Sequence, residues 1–261
     1  MAGARTFAVS GDAYDRFMGR YSRPLAAEFA TFAGAAQGQR ALDVGCGPGA
    51  LTGELVRRLG TANVAACDPS DAFVAACAAR HPGVDVRHGS AEQLPYDAGE
   101  FDLVTAQLVL HFVTDPRRAA SEFSRVARPD GVVAACVWDF EQGMELLRAF
   151  WDAALSLDAG APDEARVLRF GRAGEIAEWL TDAGIGQVAE TTLTVESEYR
   201  DFDDLWMPLR AGIGPAGSYF VGLPDAVRQA LRAVLFERLG SPAGAFRLRA
   251  VARAARGVRT G

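Results

Sequence analysis

At 261 residues and 49% hydrophobic composition, the chain is long enough to bury a core of its own, and one domain is expected. Its net charge of -6 argues against a nucleic acid or an anionic bilayer as the main partner, because both favour a basic face; a small ligand fits better. All 27 basic residues are arginine, a bias that fits GC-rich coding better than any functional demand.

Cys46, Cys67, Cys77 and Cys136 occur in apolar surroundings without the spacings of a zinc site, so reduced buried thiols and no metal are expected. The opening "MAGARTFAVSGDAYD" lacks the long apolar core of a signal peptide. The longest apolar run, residues 103–113, is too short for a membrane span and carries Gln107 and His111, so a soluble cytoplasmic protein is expected.

In chain order, "YDRFMGRY" sets Tyr14, Phe17, Met18 and Tyr21 at helical spacing. "ALDV" (41–44) reads as a buried strand, followed by a helix faced by Leu51, Leu55, Val56 and Leu59 that stops at Gly60. "NVAACD" is a second strand ending at Asp68, and its helix runs to the break at His81, Pro82 and Gly83. "VDVRH" is the third strand and "FDLVTAQ" the fourth. A helix then starts with Asp115 as N-cap and Pro116 in its first turn, and ends at a turn, "RPDG". "VVAACVWD" is the fifth strand.

Beyond Asp139 the rhythm changes. "GMELLRAFWDAALSL" and "RAGEIAEWLTDAG" are helical, "GQVAETTLTVESEYR" alternates as a strand, "FDDLWMPL" and "DAVRQALRAVLFERLG" are helical, and "GAFRLRAVARAARGVR" alternates again, fit for a strand at the edge or inside of the sheet.

Apolar strands alternating with helices belong to a parallel sheet covered on both faces, with ligands bound across the carboxyl ends of the strands. One of those ends is glycine-rich. Gly45, Gly47 and Ala50 satisfy the pattern GxGxx[GA], and Asp68 follows at the spacing of a ribose-binding acid, so a nicotinamide-dependent oxidoreductase is one candidate. Charge favours another. A carboxylate at Asp43 would oppose a pyrophosphate at this corner but attract the sulfonium and ammonium of S-adenosylmethionine. Each acid also has a plainer reading: Asp43 as a carboxylate satisfied by backbone N–H groups, Asp68 as a cap before "PSD".

"LDVGCGPG", followed in order by "CDPS", "GSAEQLPY", "FDLVTAQLVLHFVTDP" and "EFSRVARPDGVV", resembles the motif series of the class I S-adenosylmethionine-dependent methyltransferases. The fuller likeness is to the type 11 branch with its ubiquinone and menaquinone C-methyltransferase-like proteins, and "YDRFMGRYSRPLAAEFATFAG" is similar to a segment of one bacterial subgroup. The resemblance implies a Rossmann-like α/β fold: a seven-stranded, mostly parallel sheet with helices on both faces and a helical lid. It divides a single 1–261 domain into an N-terminal helical lid (1–39), a cofactor-binding core (40–139) and remaining core strands with lid insertions (140–261).

It further implies that Asp43 and the backbone of Gly45, Cys46, Gly47 and Gly49 hold the methionine end of S-adenosylmethionine, that Asp68 and Pro69 meet the ribose, and that Gln107 lies beside the methionine moiety. Tyr14 and Arg20 would close over its carboxylate. At the adenine the family places an acid before Ala91; here Ser90 stands there, with Glu92 as a possible contributor. S-adenosylhomocysteine would be the product.

Methyl transfer demands alignment and exclusion of water, for which the N-terminal helix, Phe150 with Trp151, and "FDDLWMPLRAGIGPAGSYF" supply lid candidates whose apolar bias suits a lipophilic or aromatic acceptor. His111 is the best-placed general base for an oxygen or carbon nucleophile, with a structural histidine as its alternative and Asp139 as a second candidate. The (D/N)PPY signature of DNA amino-methylating enzymes is missing, so a small molecule is the expected acceptor. A cofactor-binding protein without methyl transfer is the other rival, since a fold does not fix a reaction. The sequence is silent on oligomeric state.

Overall fold

The computed structural model describes residues 15–260. A wide first turn at Asp15–Gly19 leads into helix α1 (Arg20–Ala33), which ends where Gly34 takes the left-handed conformation (φ 80°) that glycine tolerates. Then come β1 (Ala41–Val44), α2 (Ala50–Leu59), β2 (Val64–Asp68), α3 (Asp71–Arg80), β3 (Asp85–His88) and β4 (Phe101–Gln107). Next are α4 (Pro116–Val126), β5 (Ala127–Trp138), α5 (Glu145–Leu157), the short α6 (Glu164–Val167), α7 (Glu175–Asp182) and β6 (Ile185–Tyr199). The chain closes with α8 (Phe202–Trp206), α9 (Gly214–Gly222), α10 (Asp225–Arg238) and β7 (Phe246–Arg259).

The seven strands form one sheet in the order β3-β2-β1-β4-β5-β7-β6. β1 to β5 are parallel, whereas β7 lies between β5 and β6 and runs antiparallel to both. β1 and β2 are buried along their whole length because helices cover both faces, which is why they read as mostly apolar runs broken only by Asp43 and Asp68. Alternate residues serve opposite cores. Ala41, Leu103, Ala134 and Cys136 face a core shared with α1, α2, α5 and α8 to α10, while Leu42, Val44, Val104, Ala135 and Val137 face one shared with α4 and α7. None of the helices is long and apolar enough to cross a membrane, among the described residues.

The Rossmann-like architecture expected from the sequence is present, and Asp115 caps α4 by accepting the Arg118 N–H at 3.1 Å. Two local expectations change. "RPDG" is no break before the fifth strand: β5 starts at Ala127, and the extra residues bulge out with Asp130 at φ 64° while pairing with β4 jumps from Ala127 to Val132. "FDDLWMPL" is two short pieces, α8 and a tight turn at Met207–Ala211.

The N-terminal helix is fastened along its length. Tyr21, Leu25 and Phe29 are fully buried, and the Tyr21 and Tyr199 hydroxyls meet at 3.0 Å inside the core. Burial pushes the Tyr21 hydroxyl far above the ordinary phenol range, so it stays protonated and one hydroxyl donates to the other. Arg20 stacks over the Tyr199 ring at 4.3 Å and pairs with Asp204 at 3.3 Å.

Removing one hydroxyl strands its partner, so Tyr21→Phe and Tyr199→Phe each cost about 1–2 kcal/mol, while the double variant costs less than their sum. Urea denaturation of the four proteins checks the cycle; strict additivity would show that the hydroxyls do not interact.

Candidate functional site

The first five strands end on one side of the sheet, and a cavity of about 1080 Å³ opens there. Its floor is the corner after β1. Gly45, Gly47 and Gly49 all have positive φ (68°, 52° and 94°), folding the chain from strand to helix within a few residues. Gly45 is also needed for space: a Cβ there would lie 2.5 Å from the Val109 side chain, on the loop after β4. At Gly47 a Cβ would meet nothing within 4 Å, so its bare face borders the cavity. Gly49 opens α2 behind the lining, and its carbonyl accepts the His81 Nε2–H at 2.9 Å.

Asp43 stands on β1 with its side chain towards α2 and is 1% exposed, although it borders the cavity. Its Oδ2 accepts the Thr52 hydroxyl at 2.6 Å, and no cation pairs with it among the described residues. Burial pushes its pKa up to about 7, against the Thr52 hydrogen bond and with a smaller contribution from Asp68. Asp68, at the end of β2, is 6% exposed and is held by two backbone donors, Gly47 N–H to Oδ2 at 2.9 Å and Ser70 N–H to Oδ1 at 2.8 Å. Burial raises its pKa as well. Each oxygen keeps a lone pair for a further donor.

Cys46, Pro69 and Ser90 border the same cavity. Glu92 does too, but its Oε1 accepts the Thr114 N–H at 2.8 Å and the Asp115 N–H at 3.4 Å, which steadies the loop after β4. Ala91 is buried outside the lining. Gln107 closes β4 with its Nε2 donating to the Ser22 carbonyl at 2.9 Å, and its Oε1 has no partner among the described residues. The Ser22 hydroxyl and the His111 Nδ1 are likewise buried without a partner among the described residues, and all three side chains border the cavity. Such atoms are costly in a closed core and are expected where a ligand completes the hydrogen bonding.

His111 sits on a tight turn at Leu110–Phe112, edge-on to Phe112 (4.8 Å) and Phe140 (5.2 Å). Burial drives its pKa down to about 3, so the ring is neutral at physiological pH. Leu108 just before it has φ 64°, a strained value for leucine at the mouth of the strand.

Arg20 lies outside the cavity lining, engaged with Asp204 and Tyr199. Tyr14 falls outside the described residues. Asp139 is committed to Arg253 at 2.8 Å and to the N–H groups of Glu141 and Gln142, away from the cavity. Sequence reasoning missed Ser22, Thr52, Val109, Glu164 and Arg169, whose positions depend on packing between distant elements.

A family profile described as a methyltransferase domain matches residues 42–135, the stretch from β1 into β5. A probable phthiotriol/phenolphthiotriol dimycocerosates methyltransferase of Mycobacterium ulcerans is 36% identical over 46% of this chain and 45% of its own. Matches to the first curated relatives span less than half of their length. A malonyl-[acyl-carrier protein] O-methyltransferase of Erwinia billingiae is 31% identical over 81% of this chain and 78% of its own. In structure, a phosphoethanolamine N-methyltransferase of Haemonchus contortus, solved with S-adenosylhomocysteine, shares the fold at 16% identity and a TM-score of 0.56, covering 97% of this chain and 61% of that one. With a domain match across the glycine corner and a relative aligned over four-fifths of the chain, the protein belongs to the S-adenosylmethionine-dependent methyltransferase family.

Proposed function

We propose that the protein moves a methyl group from S-adenosylmethionine to an oxygen, carbon or nitrogen atom of a small lipophilic or aromatic molecule in the cytoplasm. Asp43 carries this reading: a buried carboxyl on the cavity wall, with no cation paired to it among the described residues, is a seat for positive charge. A pyrophosphate at the same corner would meet Asp43 and Asp68 together, which disfavours the oxidoreductase.

The residues present suit the cofactor. Asp43 and the backbone of the corner would hold the methionine end, and the unpaired Gln107 Oε1 and Ser22 hydroxyl can accept from its ammonium. Asp68 has lone pairs for a ribose diol, with Pro69 beside it. Ser90 would take the adenine side, with Ala91 behind it and Glu92 already drawn to the Thr114 amide.

S-adenosylmethionine supplies an electrophilic methyl group by in-line displacement, and its sulfonium loses its positive charge as the methyl leaves. His111 accepts a hydrogen bond at Nδ1 from the acceptor and takes its proton. Burial keeps the ring neutral, so Nδ1 can accept that hydrogen bond, and the same burial lowers its basicity, so a bound acceptor must supply the polar contact that stabilises the imidazolium. Phe17, Met18, Phe112, Phe140, Leu147 and Ile213 give the rest of the cavity an apolar wall that keeps water from the reacting atoms. Relatives named for dimycocerosates and for malonyl-[acyl-carrier protein] act on unlike acceptors, so the acceptor class is read from this wall.

Titration with S-adenosylmethionine, S-adenosylhomocysteine and NAD tests the assignment: the two sulfur compounds bind and NAD does not. Tight NAD binding with neither sulfur ligand retained would overturn it.

Asp43 must be ionised to hold a cation, so affinity for S-adenosylmethionine falls by up to about tenfold per pH unit below pH 7. In the ligand-free protein the same raised pKa works the other way. The native state holds the proton better than the unfolded chain, so Asp43's contribution to stability is greatest below about pH 4 and is lost as pH rises towards 7. Calorimetry and melting from pH 5 to 8 read both slopes. Asp43→Asn removes both and weakens S-adenosylmethionine more than S-adenosylhomocysteine. For an oxygen acceptor, His111→Asn lowers kcat about 10²–10⁴-fold with cofactor affinity little changed, measured by single-turnover transfer.

A further inference from the structure

One buried carboxyl in the cavity is left over by the cofactor reading. Glu164, the first residue of α6, is 3% exposed and borders both the large cavity and an adjoining one of about 220 Å³. Its Oε2 accepts the Trp151 indole N–H at 2.7 Å, the single hydrogen bond recorded for it among the described residues. That bond fixes the carboxyl on α5 and leaves Oε1 for another donor.

The cation whose field reaches it is already engaged. Arg148 grips both oxygens of Asp163, at 3.2 and 3.0 Å, and also pairs with Asp152 at 2.8 Å, so Glu164 has no ion pair among the described residues. The single arginine on the lining of the large cavity, Arg169, is exposed at its rim. Burial pushes the Glu164 pKa up to about 7, against the Trp151 hydrogen bond, as befits a carboxyl with no paired cation among the described residues. Phe140, Leu147 and Leu168 are apolar on the large-cavity lining, while the adjoining cavity is lined by Arg166, Arg169 and Arg172, none of which pairs with Glu164 among the described residues.

We propose that Glu164 selects the methyl acceptor by forming an ion pair with an amino group on an otherwise apolar small molecule, at a position other than the methylated atom. The proposal rests on the methyltransferase reading of the same cavity. A neutral hydroxyl would leave the desolvated carboxylate uncompensated, and an acid would be repelled. An ammonium neutralises it in a low-dielectric site, with the carboxylate already oriented by Trp151. The apolar walls take the rest of the acceptor.

The test is calorimetric titration with a 2-arylethylamine, the alcohol of the same shape and the corresponding carboxylate, with and without S-adenosylhomocysteine. On the wild-type protein at pH 8 the amine binds at least about tenfold tighter than the alcohol, and the carboxylate binds weakest. In Glu164→Gln, which keeps an acceptor for Trp151, the amine's advantage shrinks to about twofold or less while S-adenosylhomocysteine affinity holds. The proposal is overturned if no member binds the wild type, if the alcohol or carboxylate matches the amine, or if E164Q keeps the preference. The wild-type comparison decides even if the variant fails to fold. S-adenosylhomocysteine failing to bind strikes the methyltransferase reading instead, whereas its binding without amine preference strikes this proposal alone.

Discussion

An acidic side chain at the end of a central parallel strand is an expensive object. The Asp43 carboxyl, on β1 and facing α2, has the Thr52 hydroxyl as donor and no cation among the described residues, and burial raises its pKa accordingly. The fold tolerates it because Thr52 is one turn into a helix whose start is fixed by the glycine corner. The corner in turn closes tightly because Gly45 has no side chain to strike Val109 and Gly47 gives its N–H to Asp68. Strand end, corner, helix start and second carboxyl are thus one mechanical unit, and a ligand cation adds the compensation it lacks.

The legible part of the fold was the part governed by local rules. β1, β2 and β4 were readable as short, mostly apolar runs, because strands covered on both faces lack regular polar alternation. Asp115 followed by Pro116 marked the start of α4 because capping is chemistry between neighbours. The bulge at Asp130 was not legible: whether "RPDG" separates a helix from the fifth strand or lies within that strand depends on β4 pairing on both sides of it. Nor was the place of β7 between β5 and β6, since alternation says which face is buried but not which strands stand on either side.

The same division runs through the site. Asp43, Gly45, Gly47, Asp68 and Gln107 could be singled out because they sit at or just after strand ends, where ligands gather in such sheets, and all five border the cavity. Glu164 gave no sequence signal, because its burial comes from Trp151 thirteen residues earlier on a different helix. Arg20 shows how far packing can redirect a side chain. Its neighbours Tyr21 and Ser22 face inward, yet its own charge is drawn to Asp204 beyond β6, a contact no local pattern announces.

What joins the two halves is α1. The turn before it brings Phe17 and Met18 to the cavity and its own first turn brings Ser22, and the Tyr21–Tyr199 contact ties that end to β6. Ser22 also sets the Gln107 amide by accepting its N–H, so the C-terminal half of the sheet positions a polar group beside the glycine corner through one helix. The cavity between them is bordered by three buried carboxyls, Asp43, Asp68 and Glu164, each with its proton affinity raised by burial, against one arginine at the rim. Such a wall ranks ligands by charge before shape, because desolvation penalises a further anion and favours any group that brings a cation. The preference extends past the cofactor corner to the Glu164 end, so the electrostatics that disfavour a pyrophosphate also constrain what enters beside it.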